Sequence, residues 1–168
     1  MKKLFVLPLL VLASCGICKS EKSFSEIQSP CPEDGKCTIE IMTNKKLDIK
    51  TDEFGSNYYQ LLDSPKTGVV HYKYKRNTKK GLQDGSYIEE VFFEINQEEK
   101  SLLLTNADLQ KTKMIYGRIC YCKGQTGYYK ISEGNLKLNR KNHKIEIDLD
   151  FKNNKVPQII QKITAVIK

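Results

Sequence analysis

The chain contains 168 residues, with 28 lysines and arginines against 20 aspartates and glutamates, so its formal net charge is +8. This length fits one domain that buries its own core without needing a metal or disulfides to fold, and no apolar segment beyond the N-terminus is long enough to cross a bilayer. Nine tyrosines, six phenylalanines and few alanines favour strands over helices.

The first fifteen residues have the plan of a secretory signal. Residues 1–3 form a positive start, residues 4–12 carry no charge, and Leu12-Ala13-Ser14-Cys15 closes the run. The uncharged stretch is too short to span a bilayer as a stable helix. The last four of these residues resemble the lipobox of bacterial lipoproteins, in which the signal is cut before a cysteine that then carries lipid.

This resemblance implies a signal peptide at residues 1–14 and lipidation at Cys15. The protein would then be exported and anchored by its lipid to a bacterial envelope membrane, either on the outer side of the inner membrane or on the outer membrane. The alternative is an ordinary cleaved signal in which the cysteine is incidental.

Residues 15–30 are polar, rich in serine and without a sustained hydrophobic period. We interpret them as a flexible, lipidated linker with a root-mean-square span of roughly 20 Å. A single β-rich domain is predicted at residues 31–168.

Alternating apolar residues predict the first strands of this domain. Residues 37–42 and 47–50 alternate on either side of Asn44-Lys45-Lys46, which predicts a hairpin. A loop at 52–57, an apolar run at 58–62 and a turn at 63–68 follow. Residues 69–76 predict a half-buried strand, with Val70, Tyr72 and Tyr74 inside and His71, Lys73 and Lys75 on a wet face.

The longest apolar strand is predicted at residues 87–95, with an inner face formed by Tyr87, Val91, Phe93 and Ile95. Residues 100–104 and 114–122 predict two more strands, on either side of one helical turn at 106–110. With Lys141-Asn142 as its turn, a further hairpin places Leu138 opposite Ile145, Leu136 opposite Ile147 and Lys137 opposite Glu146.

The C-terminal residues fit two structures. Pro157 followed by apolar residues through Ile167 fits a short helix packed on the sheet, which we favour, whereas the β-branched content also suits a last strand. About nine short strands separated by turn signals predict a mainly β fold, either a single antiparallel β-sandwich or a small barrel.

Four cysteines of the domain are disulfide candidates: Cys31, Cys37, Cys120 and Cys122. Exported proteins normally oxidise such thiols, so structural disulfides are the favoured interpretation, and three pairings are possible. Cys120 and Cys122 share one face of a predicted strand, where a direct bond would be strained, so we favour bonds from Cys31 and Cys37 to this pair.

The alternative is a thiol-based metal-binding or redox protein that uses the same four cysteines. Their spacing does not match the Cys-x-x-Cys knuckles of structural zinc, although a Cys-x-Cys pair suits a soft ion such as Cu(I). We therefore predict no metal site and no cofactor.

Positive charge is concentrated between Lys111 and Lys144, where nine lysines and arginines accompany a single acid. With tyrosines interleaved, this segment predicts a basic face for an acidic protein or glycan, represented by Lys113, Arg118, Lys123, Lys130 and Lys137. The alternative is that these side chains coat solvated strand faces and pair with acids across strands. Nucleic acid fits the charge but conflicts with an exported protein.

Catalytic motifs are not evident. The two histidines, His71 and His143, have no nucleophile or metal motif beside them. Glu146, Asp148 and Asp150 alternate along a strand, which is typical of the solvated side of a hairpin. We therefore predict that the protein is not an enzyme.

Residues 31–40 (Cys-Pro-Glu-Asp-Gly-Lys-Cys-Thr-Ile-Glu) and 117–129 (Gly-Arg-Ile-Cys-Tyr-Cys-Lys-Gly-Gln-Thr-Gly-Tyr-Tyr) resemble segments of small uncharacterised envelope lipoproteins of flavobacterial type. The resemblance implies the exported, lipid-anchored location and no activity. We predict an envelope-anchored, non-enzymatic binding or structural module. The alternatives are the thiol-based protein and an inhibitor or binder of an acidic partner that acts through the basic face.

Overall fold

A computed structural model describes residues 25–78, 81–82 and 84–168. The predicted signal peptide, Cys15 and Cys18 lie outside the described residues. Within the described part of the chain, ten strands form two five-stranded antiparallel sheets, accompanied by one short 3₁₀ helix. No helix in this part has the length and apolar character needed to cross a membrane.

Five strands form sheet A: β1 (Ser25–Ile27), β5 (Ser101–Thr105), β8 (Gly134–Lys141), β9 (Lys144–Phe151) and β10 (Lys162–Ile167). Their spatial order is β1-β10-β9-β8-β5. The other five form sheet B: β2 (Gly35–Thr51), β3 (Asn57–Arg76), β4 (Tyr87–Asn96), β6 (Ile115–Cys120) and β7 (Gly127–Lys130). Their order is β2-β3-β4-β6-β7, and the 3₁₀ helix, Asn106–Thr112, connects β5 to β6.

The two sheets share one apolar core, which confirms the predicted mainly β fold. Sheet A contributes alternate residues of β9, of which Ile147 and Leu149 are almost completely buried. Sheet B contributes the inner faces predicted for β3 and β4, and all seven of their predicted residues are buried: Val70, Tyr72, Tyr74, Tyr87, Val91, Phe93 and Ile95.

β2 and β3 are longer than predicted, with 17 and 20 residues. The turns predicted at residues 44–46 and 63–68 are therefore wrong, because both segments lie inside these strands. Polar side chains that indicated turns instead pair across the hairpin, as in the 2.6 Å ion pair between Lys45 and Asp63. Asn44 has a φ of 58° and lies where the register shifts between Thr43 and Lys45, so this segment is a β-bulge that bends the strand without ending it.

Beyond the bulge, the hairpin folds back over the outer face of sheet B. At the start of β3, Asn57 pairs with Tyr128 of β7, so that β3, β4, β6 and β7 close into a small barrel-like unit. A second apolar cluster, the outer cluster, fills the space between hairpin and sheet. Its buried members are Leu47, Val69, Phe92 and Ile115.

Glu94 of β4 fixes this arrangement. Its Oε1 accepts a hydrogen bond from the backbone N–H of Leu47 and lies 2.8 Å from the ammonium nitrogen of Lys113. Lys113 also donates to the carbonyl oxygen of Leu47 at 2.7 Å. The folded-back hairpin is thus tied to sheet B by charged hydrogen bonds, which are stronger than neutral ones.

The β8–β9 hairpin has the predicted faces in a different register. Its turn is Asn142-His143, with φ values of 51° and 60°, a pair of positive angles typical of a type I′ turn. Leu138 consequently lies opposite Ile147, and Lys137 lies opposite Asp148. The predicted pairings with Ile145 and Glu146 are wrong by two residues. Because the side-chain period of a strand is two, the same residues remain buried.

The C-terminal helix is also wrong, because residues 162–167 form strand β10 between β9 and β1. Ile163, Ala165 and Ile167 are buried at a spacing of two, where each faces a buried residue of β9. β-branched side chains pack well on such a pleated surface.

Glu89 holds the irregular segment that precedes β10. Its two carboxylate oxygens accept hydrogen bonds from the backbone N–H groups of Ile159 and Ile160, each at 2.8 Å. The hydroxyl of Tyr87 donates to the same carboxylate at 2.6 Å. These donors satisfy a carboxylate that is almost completely buried, and they replace the helical hydrogen bonds expected after Pro157.

The folded domain begins earlier than residue 31. β1 lies within the predicted linker, 15–30, and pairs with β10 so that Ser25 faces Ile167. Ile27 packs against the core. A three-residue edge strand is too short to produce a hydrophobic period, which explains the difference.

We expect Leu47→Ala to lower the free energy of unfolding by about 2–5 kcal/mol, because this fully buried leucine would leave a cavity in the outer cluster. Urea denaturation followed by circular dichroism measures the change. Leu82→Ala is the matched control: Leu82 is 57% exposed, so its effect should stay within about 0.5 kcal/mol. Equal effects of the two changes would contradict the packing of the hairpin on sheet B.

Candidate functional site

The four cysteines of the domain form two separate disulfides, Cys31–Cys37 and Cys120–Cys122. The favoured cross-pairing is therefore wrong. A turn in which the Gly35 N–H donates to the Pro32 carbonyl brings Cys31 near Cys37, with their Cα atoms 5.9 Å apart.

The Cys120–Cys122 bond forms because β6 ends at Cys120, so the extended geometry assumed for both residues does not apply to Cys122. With all four sulfurs bonded, none is a free thiolate for a metal. Among the described residues, no group of three or more histidine, cysteine or acidic side chains is placed to hold a metal ion.

The Cys120–Cys122 disulfide lies at the beginning of the loop between β6 and β7. We call this loop, residues 120–126, the cysteine loop. The backbone N–H of Gln125 donates to the Cys122 carbonyl at 3.0 Å, and the Thr126 hydroxyl donates to the Arg118 carbonyl at 3.1 Å. These bonds and the disulfide fix the loop. It displays Tyr121, whose side chain is 84% exposed.

The turn between β2 and β3, residues 52–56, displays a second aromatic side chain. Asp52 Oδ1 accepts hydrogen bonds from the backbone N–H groups of Phe54 and Ser56, at 3.0 and 2.8 Å. Gly55 adopts a φ of 81°, which glycine reaches without strain. Phe54 is 85% exposed at the centre of this turn. The sequence predicted a loop here, yet Phe54 was missed, although an apolar residue between Asp52 and Gly55 is a visible signal.

A shallow cleft lies where the β2–β3 turn meets the start of β7. Its volume is about 250 Å³, and its lining includes Ser56, Asn57, Tyr128, Lys130 and Lys155. An adjoining open cavity of about 460 Å³ is lined by the cysteine loop, and Thr126 contributes to both. We call the cleft, the turn at 52–56 and the cysteine loop together the tip surface.

Tyr128 lines this cleft, and several neighbours fix its position. Its ring lies over Gly117, where an added Cβ would come within 2.5 Å of a ring carbon. Its hydroxyl donates to Glu90 at 3.3 Å, and its carbonyl accepts from the Asn57 side chain at 3.2 Å. Tyr59 packs edge-on against the ring at a centroid distance of 5.1 Å. Burial, followed by the negative charge of Glu90, raises the pKa of Tyr128, so the hydroxyl remains protonated.

Glu90 is the centre of a polar cluster beneath Tyr128. His71 Nε2 lies 3.2 Å from Glu90 Oε1 and Lys73 Nζ lies 3.3 Å from it, while His71 Nδ1 lies 3.3 Å from Glu40. The His71 ring stacks on Phe92, with centroids 4.2 Å apart, so this side chain is half-buried and not on a wet face as predicted. Burial raises the pKa of Glu90, but the hydrogen bond and charge of His71 and the charge of Lys73 outweigh it and hold the pKa below its ordinary value. Both ring nitrogens of His71 lie beside carboxylates, so His71 positions Glu90, which in turn accepts the hydrogen bond of the Tyr128 hydroxyl.

Two of the five predicted basic residues, Lys123 and Lys130, belong to the tip surface. Lys155, which lies outside the predicted basic segment, lines the cleft together with Lys130. All three side chains are exposed, and none forms an ion pair with a described residue. Their charges are therefore available to a partner.

The other three predicted residues lie elsewhere. Lys113 binds Glu94 and the Leu47 carbonyl, as described above. Arg118 is only 7% exposed, and its Nη1 donates to the Gln125 side chain at 2.6 Å. Lys137 lies in sheet A opposite Asp148. The structure thus does not bring the five residues onto one face.

The acidic residues of β9 lie on the outer face of sheet A. Glu146, Asp148 and Asp150 are all exposed, while the residues between them are buried. Lys162 Nζ lies 3.7 Å from Asp148 and 3.7 Å from Asp150. This strand face is solvated, as its alternation predicted.

No protein-family model, curated protein or solved structure matches the chain. The chemistry of the tip surface therefore rests on its own groups: two exposed aromatic rings, three lysines, two exposed acids in the turn at 52–56 and the supported ring of Tyr128. Such groups can contact a ligand through ring faces and long-range charge.

Tryptic digestion of the unreduced protein should distinguish the disulfide pairings. Cleavage after Lys22, Lys36 and Lys45 releases peptides 23–36 and 37–45, which we expect to be joined through Cys31–Cys37. Peptide 119–123 should appear alone and two hydrogens lighter than its reduced form. Mass spectrometry measures both. Peptide 119–123 linked to either of the other two would contradict the structure.

Proposed function

We propose that the protein is an exported, lipid-anchored and non-enzymatic binding module that recognises an anionic partner through its tip surface. The observation that carries this proposal is the rigid display of Phe54 and Tyr121 on two hydrogen-bonded loops beside a lysine-lined cleft.

The exposed rings support a recognition role because they stand outside the core at an energetic cost. Phe54 and Tyr121 lie in loops that internal hydrogen bonds already order. Ordering a loop in advance removes entropy loss from the binding step. Large aromatic side chains with little remaining freedom are typical anchors of binding surfaces.

The lysines support an anionic partner. Lys130 and Lys155 line the cleft and Lys123 lines the adjoining cavity, and none of the three forms an ion pair with a described residue. The turn at 52–56 adds two exposed acids, Asp52 and Glu53, so lysines outnumber acids on the tip surface by three to two. Such a group attracts negatively charged ligands and speeds their association, and its effect is screened by salt. Acidic glycans and acidic protein segments both carry this charge.

The location of the protein rests on the lipobox-like run Leu12-Ala13-Ser14-Cys15. The two disulfides support an oxidising compartment, since such bonds persist mainly in exported proteins. The chain between Cys15 and β1 would then hold the domain close to the membrane.

We expect Cys15→Ser to release the protein from its membrane anchor, because the lipid would have no thiol to modify. Detergent-phase partitioning of cells that produce the complete chain measures the effect. Cys18→Ser is the matched control, three residues further along, and it should partition like the unchanged protein. Equal partitioning of both variants would contradict lipidation at Cys15.

Charge reversal tests the binding surface. We expect the double variant Lys123→Glu and Lys130→Glu to weaken binding to polygalacturonate or polyglutamate at least tenfold, because two positive charges of the tip surface become negative. Titration calorimetry at 50 and 200 mM salt measures the affinity, and binding by the unchanged protein should weaken as salt rises.

One control and one further variant accompany this titration. Lys141→Glu with Lys144→Glu makes the same change in net charge on the β8–β9 hairpin and should bind like the unchanged protein. Phe54→Ala should weaken binding without altering its salt dependence, since it removes a ring and no charge. A loss of affinity that is equal in the two charge variants would show that net charge alone attracts the ligand and would contradict the site.

A further inference from the structure

β5 is one edge of sheet A. It pairs with β8 on one side, and no described strand pairs with its other side. Its sequence, Ser-Leu-Leu-Leu-Thr, contains no charge, no proline and no bulge. Leu103 at its centre is 73% exposed, although leucine is costly to leave in water.

The other edges of the two sheets are protected. β1 has only three residues. The exposed positions of β2 include the charged residues Lys36 and Glu40. β7 is closed by its pairing with β3. Short length, edge charges and closure are the usual devices against edge-to-edge pairing, and β5 has none of them.

The hydrogen-bond pattern shows which backbone groups of β5 face outward. The N–H of Arg140 donates to the carbonyl of Lys100 at 2.7 Å, in the same register that pairs Ser101 with Asn139. Hydrogen-bonded and non-bonded pairs alternate along an antiparallel ladder, so Leu102 and Leu104 also direct their backbone groups to β8. The N–H and C=O groups of Ser101, Leu103 and Thr105 therefore point to the open edge.

We propose that β5 pairs with β5 of a second copy of this chain, antiparallel and two-fold symmetric about Leu103. In this register Leu103 lies opposite Leu103 of the partner subunit, and Ser101 lies opposite Thr105 of the partner subunit. All outward-facing backbone groups of the strand then meet outward-facing groups of the same strand. Sheet A becomes a continuous ten-stranded sheet.

The side chains match this register. Leu102 faces the partner subunit's Leu104 on the core side, and the two Leu103 side chains contact one another on the outer face. Lys100 faces the partner subunit's Asn106, so no like charges lie opposite each other along the strand. A two-fold interface is complete with two copies, which limits the assembly to a dimer.

Five residues per copy bury much less than the roughly 1,200 Å² of a stable interface, so the dimer is weak and depends on concentration. Anchoring on one membrane, if the proposed lipidation holds, raises the local concentration of the domains. The pairing itself does not depend on the anchor or on the tip surface, which involves other strands.

Cysteine cross-linking tests the dimer. Directly opposed residues of a hydrogen-bonded antiparallel pair have Cα atoms about 5.5 Å apart, within the range of a disulfide. We expect Leu103→Cys to give a covalent dimer in cells that produce the complete chain, visible on a non-reducing gel and lost on reduction. Tryptic peptide 101–111 should be found linked to its own copy by mass spectrometry.

Lys137→Cys is the matched control. Lys137 is exposed on β8, where it lies directly opposite Leu103 of β5. It is therefore one strand further than Leu103 from the two-fold axis. Two copies of it would be about 14 Å apart at three strand spacings, too far for a disulfide. This variant should therefore remain monomeric on the same gel.

A second variant needs no added thiol. Leu103→Lys places two positive charges opposite each other at the axis. Light scattering of the purified protein should show a dimer at least tenfold weaker than that of the unchanged protein, whereas the Leu103→Val variant should retain the dimer.

Equal cross-linking of the Leu103→Cys and Lys137→Cys variants, or dimers unaffected by Leu103→Lys, would overturn the proposal. A monomeric Leu103→Cys variant would also overturn it and would indicate that another segment of the chain or another partner covers β5.

Discussion

The β-bulge between Thr43 and Lys45 turns the outer half of the β2–β3 hairpin back over sheet B. Because of this bend, Leu47 reaches Phe92 and Ile115, which would otherwise face water on the outer side of the sheet. The same bend brings the start of β3 to β7 and closes the barrel-like unit. The tip surface exists only because the hairpin turn ends beside β7.

Three glutamates of β4 hold segments of the chain that pack against the two faces of this strand. Glu94 ties down the folded-back hairpin, Glu90 supports Tyr128, and Glu89 fixes the segment that leads into β10. Glu89 points into the core, whereas Glu90 and Glu94 lie on the opposite face, as their even spacing requires. Each carboxylate is satisfied by several donors, which offsets the cost of burying its charge. β4 thus connects both sheets and the tip surface.

Charge that is clustered in sequence is dispersed in the fold. The segment from Lys111 to Lys144 crosses from sheet B to sheet A, so its basic residues reach different faces. Lys113 and Arg118 satisfy internal partners, while Lys123 and Lys130 remain available beside Lys155, which comes from a distant part of the chain. The basic residues of the tip surface therefore come from distant parts of the chain. Counting charges along the sequence locates only some of them.

The sequence by itself determined the β class and the buried faces of most strands, because alternation with a period of two records which side of a strand meets the core. It placed the loop that carries Phe54, but it put Tyr121 in a strand at residues 114–122, which ends at Cys120 in the structure. Pairing and closure were decided by tertiary contacts: the bulge at Asn44 and the strand at residues 162–167 follow from neighbours distant in sequence. The register of the β8–β9 hairpin follows instead from the local backbone geometry of the Asn142-His143 turn. Local composition does not record such neighbours. The same turn-forming residues can therefore mark either a bulge that bends a strand or a turn that ends it.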